Sequence, residues 1–210
     1  MVQESHSSGL TEGNERLTSS VGLVLLVLLA VEALTTLALQ SYLSLHIFLG
    51  LLLLPPIALK FASVGWRFMR YYTGNQAYRL AGPPQLLLRL LAPLLVASTL
   101  TLFGTGVALI VFGGGGWLKG LHGLSFAVWG ALMILHVLAY VARTLRIGPA
   151  DWRGHAEQVV AGARSRRAAL GGALLAGVIL ASATYPAWRH QRRERGHNEG
   201  VAHVQAVSRR

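Results

Sequence analysis

Residues 42–61 read YLSLHIFLGLLLLPPIALKF. As a helix these twenty residues would extend about 30 Å, the thickness of a bilayer's hydrocarbon core. Only His46 and Lys60 bring basic nitrogen into the stretch. Four more segments have the same character: 17–40, 86–112, 117–145 and 168–188. The 210-residue chain is 53% hydrophobic and only 13% charged, and its arginines gather between the apolar segments. A soluble domain of this length would spread charge along every surface helix. The sequence therefore predicts an all-α integral membrane bundle of five transmembrane helices.

The chain divides accordingly into a polar N-terminal tail (1–16), a four-helix membrane bundle (17–145), a basic connection (146–167), a fifth membrane helix (168–188) and a basic C-terminal tail (189–210). The first span is too long, and the residues before it too acidic (Glu4, Glu12, Glu15), for an ordinary cleaved signal peptide. The GGGG at 113–116 reads as a turn; no G-K-[ST] follows to make it a phosphate loop. The absence of cysteine excludes disulfides, iron–sulfur clusters, thiolate zinc and c-type haem attachment.

The formal charge of +11 raises the question of nucleic acid. However, the basic residues flank apolar spans instead of forming one face of a soluble module, so anionic lipid explains them and no nucleic-acid partner is expected. The aromatics of 62–85 (Trp66, Phe68, Tyr71, Tyr72, Tyr78) read as an interfacial belt. Five spans put the N-terminus and the 62–85 and 146–167 connections on one side, with Arg16, Arg67, Arg70, Arg79, Arg89, Arg143, Arg146, Arg153, Arg164, Arg166 and Arg167. The other side has Lys119 and the tail arginines 189, 192, 193, 195, 209 and 210. Eleven against seven predicts a cell-membrane protein with a cytoplasmic N-terminus and an extracytoplasmic C-terminus.

Ionisable groups inside a membrane are costly and mark function by default. Here they are Glu32 in the first span, His46 and Lys60 in the second, and His122 and His136 in the fourth. Both pairs are fourteen residues apart. Fourteen helical steps return to within roughly 40° of the starting face, some 21 Å along the axis. The second and fourth spans run in the same direction, so His46 and His122 share one depth, and Lys60 and His136 another. Facing histidines on parallel helices suit haem b, whose iron takes two axial donors. A second haem fits one leaflet away if another donor pair exists there. Gly50, Gly104, Gly106, Gly123 and Gly130 leave room for a flat ring, and Pro55–Pro56 frees the carbonyls near Leu51 and Leu52. The blander reading is a set of interhelical hydrogen bonds, with Lys60 snorkelling to the interface. Glu32, with Thr36 and Gln40 at i+4 and i+8, reads as a polar stripe facing the bundle and too distant for Lys60.

Spans two to four resemble the di-haem cytochrome b architecture, including cytochrome b561-type membrane subunits. The runs LKFASVGWRFMRYYTG, AYRLAGPP and LLRLLAPLLVASTLTLFGTGVAL are also similar to actinobacterial membrane proteins associated with molybdopterin-dependent oxidoreductases of the sulfite oxidase kind. The resemblance covers about residues 40–145. It implies haem ligands at His46, His122 and His136, and departs from the family pattern at Lys60, where a fourth histidine is expected. Lys60 could ligate iron as a free amine, hold a propionate, or serve a quinone or proton route.

The expected function is electron transfer between the quinone pool and an extracytoplasmic oxidoreductase subunit, as a component of a complex and not a stand-alone enzyme. Lys119, one turn before His122, is a candidate for a haem propionate. Arg67, Arg70, Arg143 and Arg146 are candidates for propionates or anionic lipid at the inner face. The rival readings are a proton-coupled transporter and a structural anchor without haem.

Overall fold

The structure, a computed structural model, describes the backbone of residues 2–80, 82, 86–113, 115–149, 151–152 and 160–208, and the side chains of 11–80, 82, 89–113, 115–149, 151–152 and 160–185. Every element among them is helical: α1 (Val2–Leu37), α2 (Leu39–Tyr72), α3 (Gln76–Leu80), α4 (Leu86–Phe112), α5 (Gly116–Ile147) and α6 (Ala163–Ser208). All but α3 contain a segment long and apolar enough to cross a membrane. The chain is an all-α membrane bundle with five such helices.

Helix boundaries differ from those expected. Residues 2–16 of the polar segment are the first part of α1, and α2 runs eleven residues past Phe61. The basic tail from 189 continues α6 to Ser208, and Gln40 falls in α2, not in the first helix. Composition marks the part of a helix that suits lipid, but a helix continues beyond it wherever backbone hydrogen bonds can form. The side chains of the tail arginines, and Arg153, lie outside the described residues.

Ala38 alone joins α1 to α2, with φ −135° and ψ 52° breaking the helix and its carbonyl accepting from Ser41 and Tyr42. Gly113, at φ 73°, turns the chain after α4; a side chain would strain that left-handed conformation. Both turns lie at one end of the bundle, here termed the hairpin end.

α1 packs against α2 and α5, and α4 against α5 and, more lightly, α2. The order around the bundle is therefore α1, α2, α4, α5, which places α2 and α5 diagonally opposite. α6 lies outside this ring, chiefly along α2. The polarity pattern suits lipid: Leu34, Leu37, Leu100, Phe112 and Leu138 are exposed, while Ser19, Ser20, Thr35, Thr99, Thr105 and Ser125 are buried. In lipid, apolar burial alone does not favour helix association, so close packing and interhelical hydrogen bonds hold the bundle together.

The contact between α2 and α6 follows from Pro55–Pro56. Neither proline has an N–H, so the carbonyls of Leu51 and Leu52 lose their helical partners. The chain remains helical through both prolines, and Gly177 of α6 packs directly on the Leu52 carbonyl, where a Cβ would collide with the oxygen. Leu51 and Leu52 pack with Ala181 beside this contact, and Val21, Leu25, Leu53, Ile57 and Leu170 form the neighbouring core of α1, α2 and α6. The carbonyl that Pro56 frees at Leu52 thus has a named neighbour, Gly177 of α6.

Candidate functional site

His46 lies eight residues into α2 from Ala38, and His122 lies seven residues into α5 from Gly115. The two helix starts share the hairpin end, so both imidazoles stand about 10–12 Å inside it. They meet across the bundle diagonal, with ring centroids 6.4 Å apart and nearly perpendicular planes (79°). The depth match read from the sequence brings these two residues together.

Each ring is held through Nδ1. His46 Nδ1 lies 3.0 Å from Glu32 Oε1 and 3.1 Å from Thr35 Oγ1, both on α1. His122 Nδ1 lies 2.9 Å from Thr105 Oγ1 on α4. The other acceptors beside each hydroxyl assign the direction of these bonds. Thr35 donates its single proton to the Glu32 carbonyl (2.6 Å), and Thr105 shares its own between the carbonyls of Thr101 (2.8 Å) and Leu102 (2.9 Å). Neither oxygen has a proton left for imidazole, so each accepts from it. This assignment puts hydrogen on Nδ1 of both histidines and leaves the lone pair on Nε2. Neither Nε2 has a hydrogen-bond partner among the described residues.

Neutral imidazole with Nδ1–H anchored and Nε2 free is the form that binds a metal. Two metal–nitrogen bonds of about 2 Å each, plus two ring radii of about 1.1 Å, put axial imidazole centroids about 6 Å apart. The observed 6.4 Å fits that requirement. Gly106 lets the His122 ring lie against α4, since a Cβ there would stand 3.3 Å from Cε1. Added Cβ atoms at Gly104, Gly120, Gly123 and Gly130 would meet nothing within 4 Å. Among the described residues no three His, Cys, Asp or Glu side chains converge. The arrangement offers two donors, the number haem iron takes from a protein in bis-histidine ligation.

The other pair is held differently. Lys60 Nζ turns to α1 and donates to the Thr18 carbonyl at 2.6 Å. Gly22 makes room for it: a Cβ there would stand 2.9 Å from Nζ. The His136 ring packs on Tyr140, one turn along its own helix, at 5.0 Å. Lys60's long arm thus reaches the nearer α1 backbone and cross-links α2 to α1.

The remaining candidates lie apart. Lys119 is exposed at the start of α5, and Arg67 is exposed near the end of α2. Arg70 is half-buried over the Trp66 ring at 5.4 Å, with Nε buried and unpartnered. Arg143 pairs with Glu15 at 2.6 Å, and Arg146 is exposed. The cations assigned to propionates therefore include one already neutralised by α1.

Sequence reading missed Thr35 and Thr105, and placed Glu32 in the wrong stripe. Glu32 works with Thr35 at i+3, not with Thr36, whose hydroxyl returns to the Ala33 carbonyl at 2.6 Å. The two alternatives differ by one helical step, which only packing decides. Also unforeseen is an ionic cluster at the end opposite the hairpins. Asp151, its side chain 2% exposed, binds Arg166 at 2.5 Å and Arg16 at 3.4 Å. The hydrogen bonds from Arg166 hold its carboxyl below the usual carboxylate range, with Arg16 adding to the effect. Comparison with known proteins finds no matching family model, curated protein or solved structure.

Proposed function

We propose that this protein is a membrane-bound b-type cytochrome subunit, passing electrons between the quinone pool and an extracytoplasmic redox partner of the molybdopterin-dependent kind. The observation that carries the reading is the His46–His122 pair, with centroids 6.4 Å apart and both Nδ1 atoms anchored so that the Nε2 atoms are free. Haem b, when bound, supplies one-electron chemistry at its iron.

The chain's own residues supply ligation, orientation and dryness. His46 and His122 would hold the haem iron through their Nε2 atoms. Thr35 with Glu32, and Thr105, fix tautomer and ring orientation, as outer partners of metal-bound histidines do. The lipid-facing leucines of α1, α4 and α5 keep the site in a low-dielectric setting. With the N-terminus in the cytoplasm, as the arginine bias indicates, the hairpin end faces outward and the site lies beside an extracytoplasmic partner. Lys60 belongs to the scaffold in this reading, and one haem is assigned.

The test is a reduced-minus-oxidised visible spectrum of the purified protein. Bands of a b-type haem at one haem per chain are expected. Their absence from protein purified after expression with ample haem would overturn the reading and favour a transporter or an anchor.

A further inference from the structure

Glu32 is a costly residue in its position. It lies six residues inside the hairpin end of α1, and between it and Asp151 the sequence has no other acidic residue. A charge there persists only if it serves something nearby. Its side chain is 14% exposed; Oε1 lies 3.0 Å from His46 Nδ1, and Oε2 is buried with no hydrogen-bond partner. Gly50, one turn after His46, leaves the carboxylate space: a Cβ there would stand 3.6 Å from Oε1. The equivalent place on the opposite ligand holds the neutral hydroxyl of Thr105. The two imidazoles are thus supported unequally, one by an anion and one by an alcohol.

We infer that Glu32 is a positioning residue that sets the redox potential of the iron held by His46, an inference that rests on the haem reading above. A carboxylate accepting from Nδ1–H raises the basicity of Nε2 and strengthens its bond to the more positive, oxidised metal. Its negative charge, across one imidazole in a low-dielectric bundle, acts in the same direction. Both effects favour the oxidised state and lower the potential. The hydroxyls of Thr35 and Thr105 orient their rings without adding charge, so they do not substitute for this contribution.

The experiment is a potentiometric titration of the visible haem bands in the wild type, Glu32→Gln and Glu32→Asp. Glu32→Gln is expected to keep the bands and shift the reduction equilibrium about tenfold toward the reduced iron, about +59 mV for one electron. Glu32→Asp, which keeps the charge, is expected to stay within threefold of the wild type. A coloured wild type whose midpoint is unmoved in Glu32→Gln overturns this inference alone. A shift of about tenfold in Glu32→Asp overturns the assignment to charge, and is readable even if the glutamine variant loses haem. A colourless wild type overturns the haem reading, and this inference with it.

Discussion

Gly22 on α1 stands directly beneath the amine of Lys60 on α2: a Cβ at position 22 would lie 2.9 Å from Nζ, while Nζ itself donates to the Thr18 carbonyl at 2.6 Å. A glycine on one helix and a lysine on its neighbour thus form one packing unit. Gly22→Ala should push the amine off its acceptor and destabilise the protein by about 1–3 kcal/mol. The same change in a Lys60→Met background should cost clearly less, because the displaced group is gone. Thermal unfolding of the four proteins in detergent measures this coupling. Lys60→Met should also leave the haem bands unchanged; their loss would restore Lys60 as a ligand.

His46→Ala and His122→Ala should each remove the same haem, since one ring alone leaves a bis-histidine site incomplete. Retention of that haem in either variant would refute the pairing. Thr105→Val should lower haem affinity about 10–100-fold, the usual effect of losing a ligand's outer partner. Thr105→Ser, which keeps the oxygen accepting from His122 Nδ1, should stay near the wild type. Haem content after dialysis against apo-myoglobin would rank the set.

Gly177→Ala should be among the most damaging single-methyl additions in the chain. Its Cβ would collide with the backbone oxygen of Leu52, and no side-chain rotation relieves a backbone collision. α6 would have to move off α2, with a loss of about 1–3 kcal/mol or more. Proteolysis of the α5–α6 connection, compared between variant and wild type, reports that loosening.

Asp151→Asn should cost about 3–5 kcal/mol at neutral pH, because it leaves the largely buried Arg166 without its anion, while Arg16 keeps Glu12 at 2.7 Å. The pH dependence has a definite sign. The folded carboxyl is held low by Arg166 and then Arg16, so its contribution is complete above the unfolded value of about 4. It is lost as pH falls through the lower folded value. The stability gap between wild type and Asp151→Asn should therefore be constant from pH 7 to about 5 and close at lower pH. A gap that widens on acidification would contradict the assignment.

Much of this architecture is legible in the sequence because lipid imposes a simple rule. Backbone groups in a bilayer must bond within their own segment, so an apolar run of sufficient length becomes a helix. That rule fixes five membrane helices. The 3.6-residue period, applied to positions 46 and 122 on parallel helices, also brings two imidazoles to one depth. His46 and His122 were for this reason foreseeable as a pair. Lys60 was not foreseeable in its role: helical arithmetic places the Cα, whereas a four-carbon arm chooses among acceptors several ångströms away.

The sequence by itself determined the helices, their order and the depth of their polar residues, because each depends on local hydrogen bonding and on apolar length. The tertiary structure alone decided which faces meet. It turned Thr35 toward His46 in place of Thr36, set Thr105 against His122, seated Gly177 on the carbonyl released by Pro56, and joined Arg16 and Arg166 through Asp151. In a medium as apolar as the side chains themselves, no hydrophobic stripe announces the inward face of a helix. Close packing and a few interhelical hydrogen bonds choose that face, and they exist only once the helices are together.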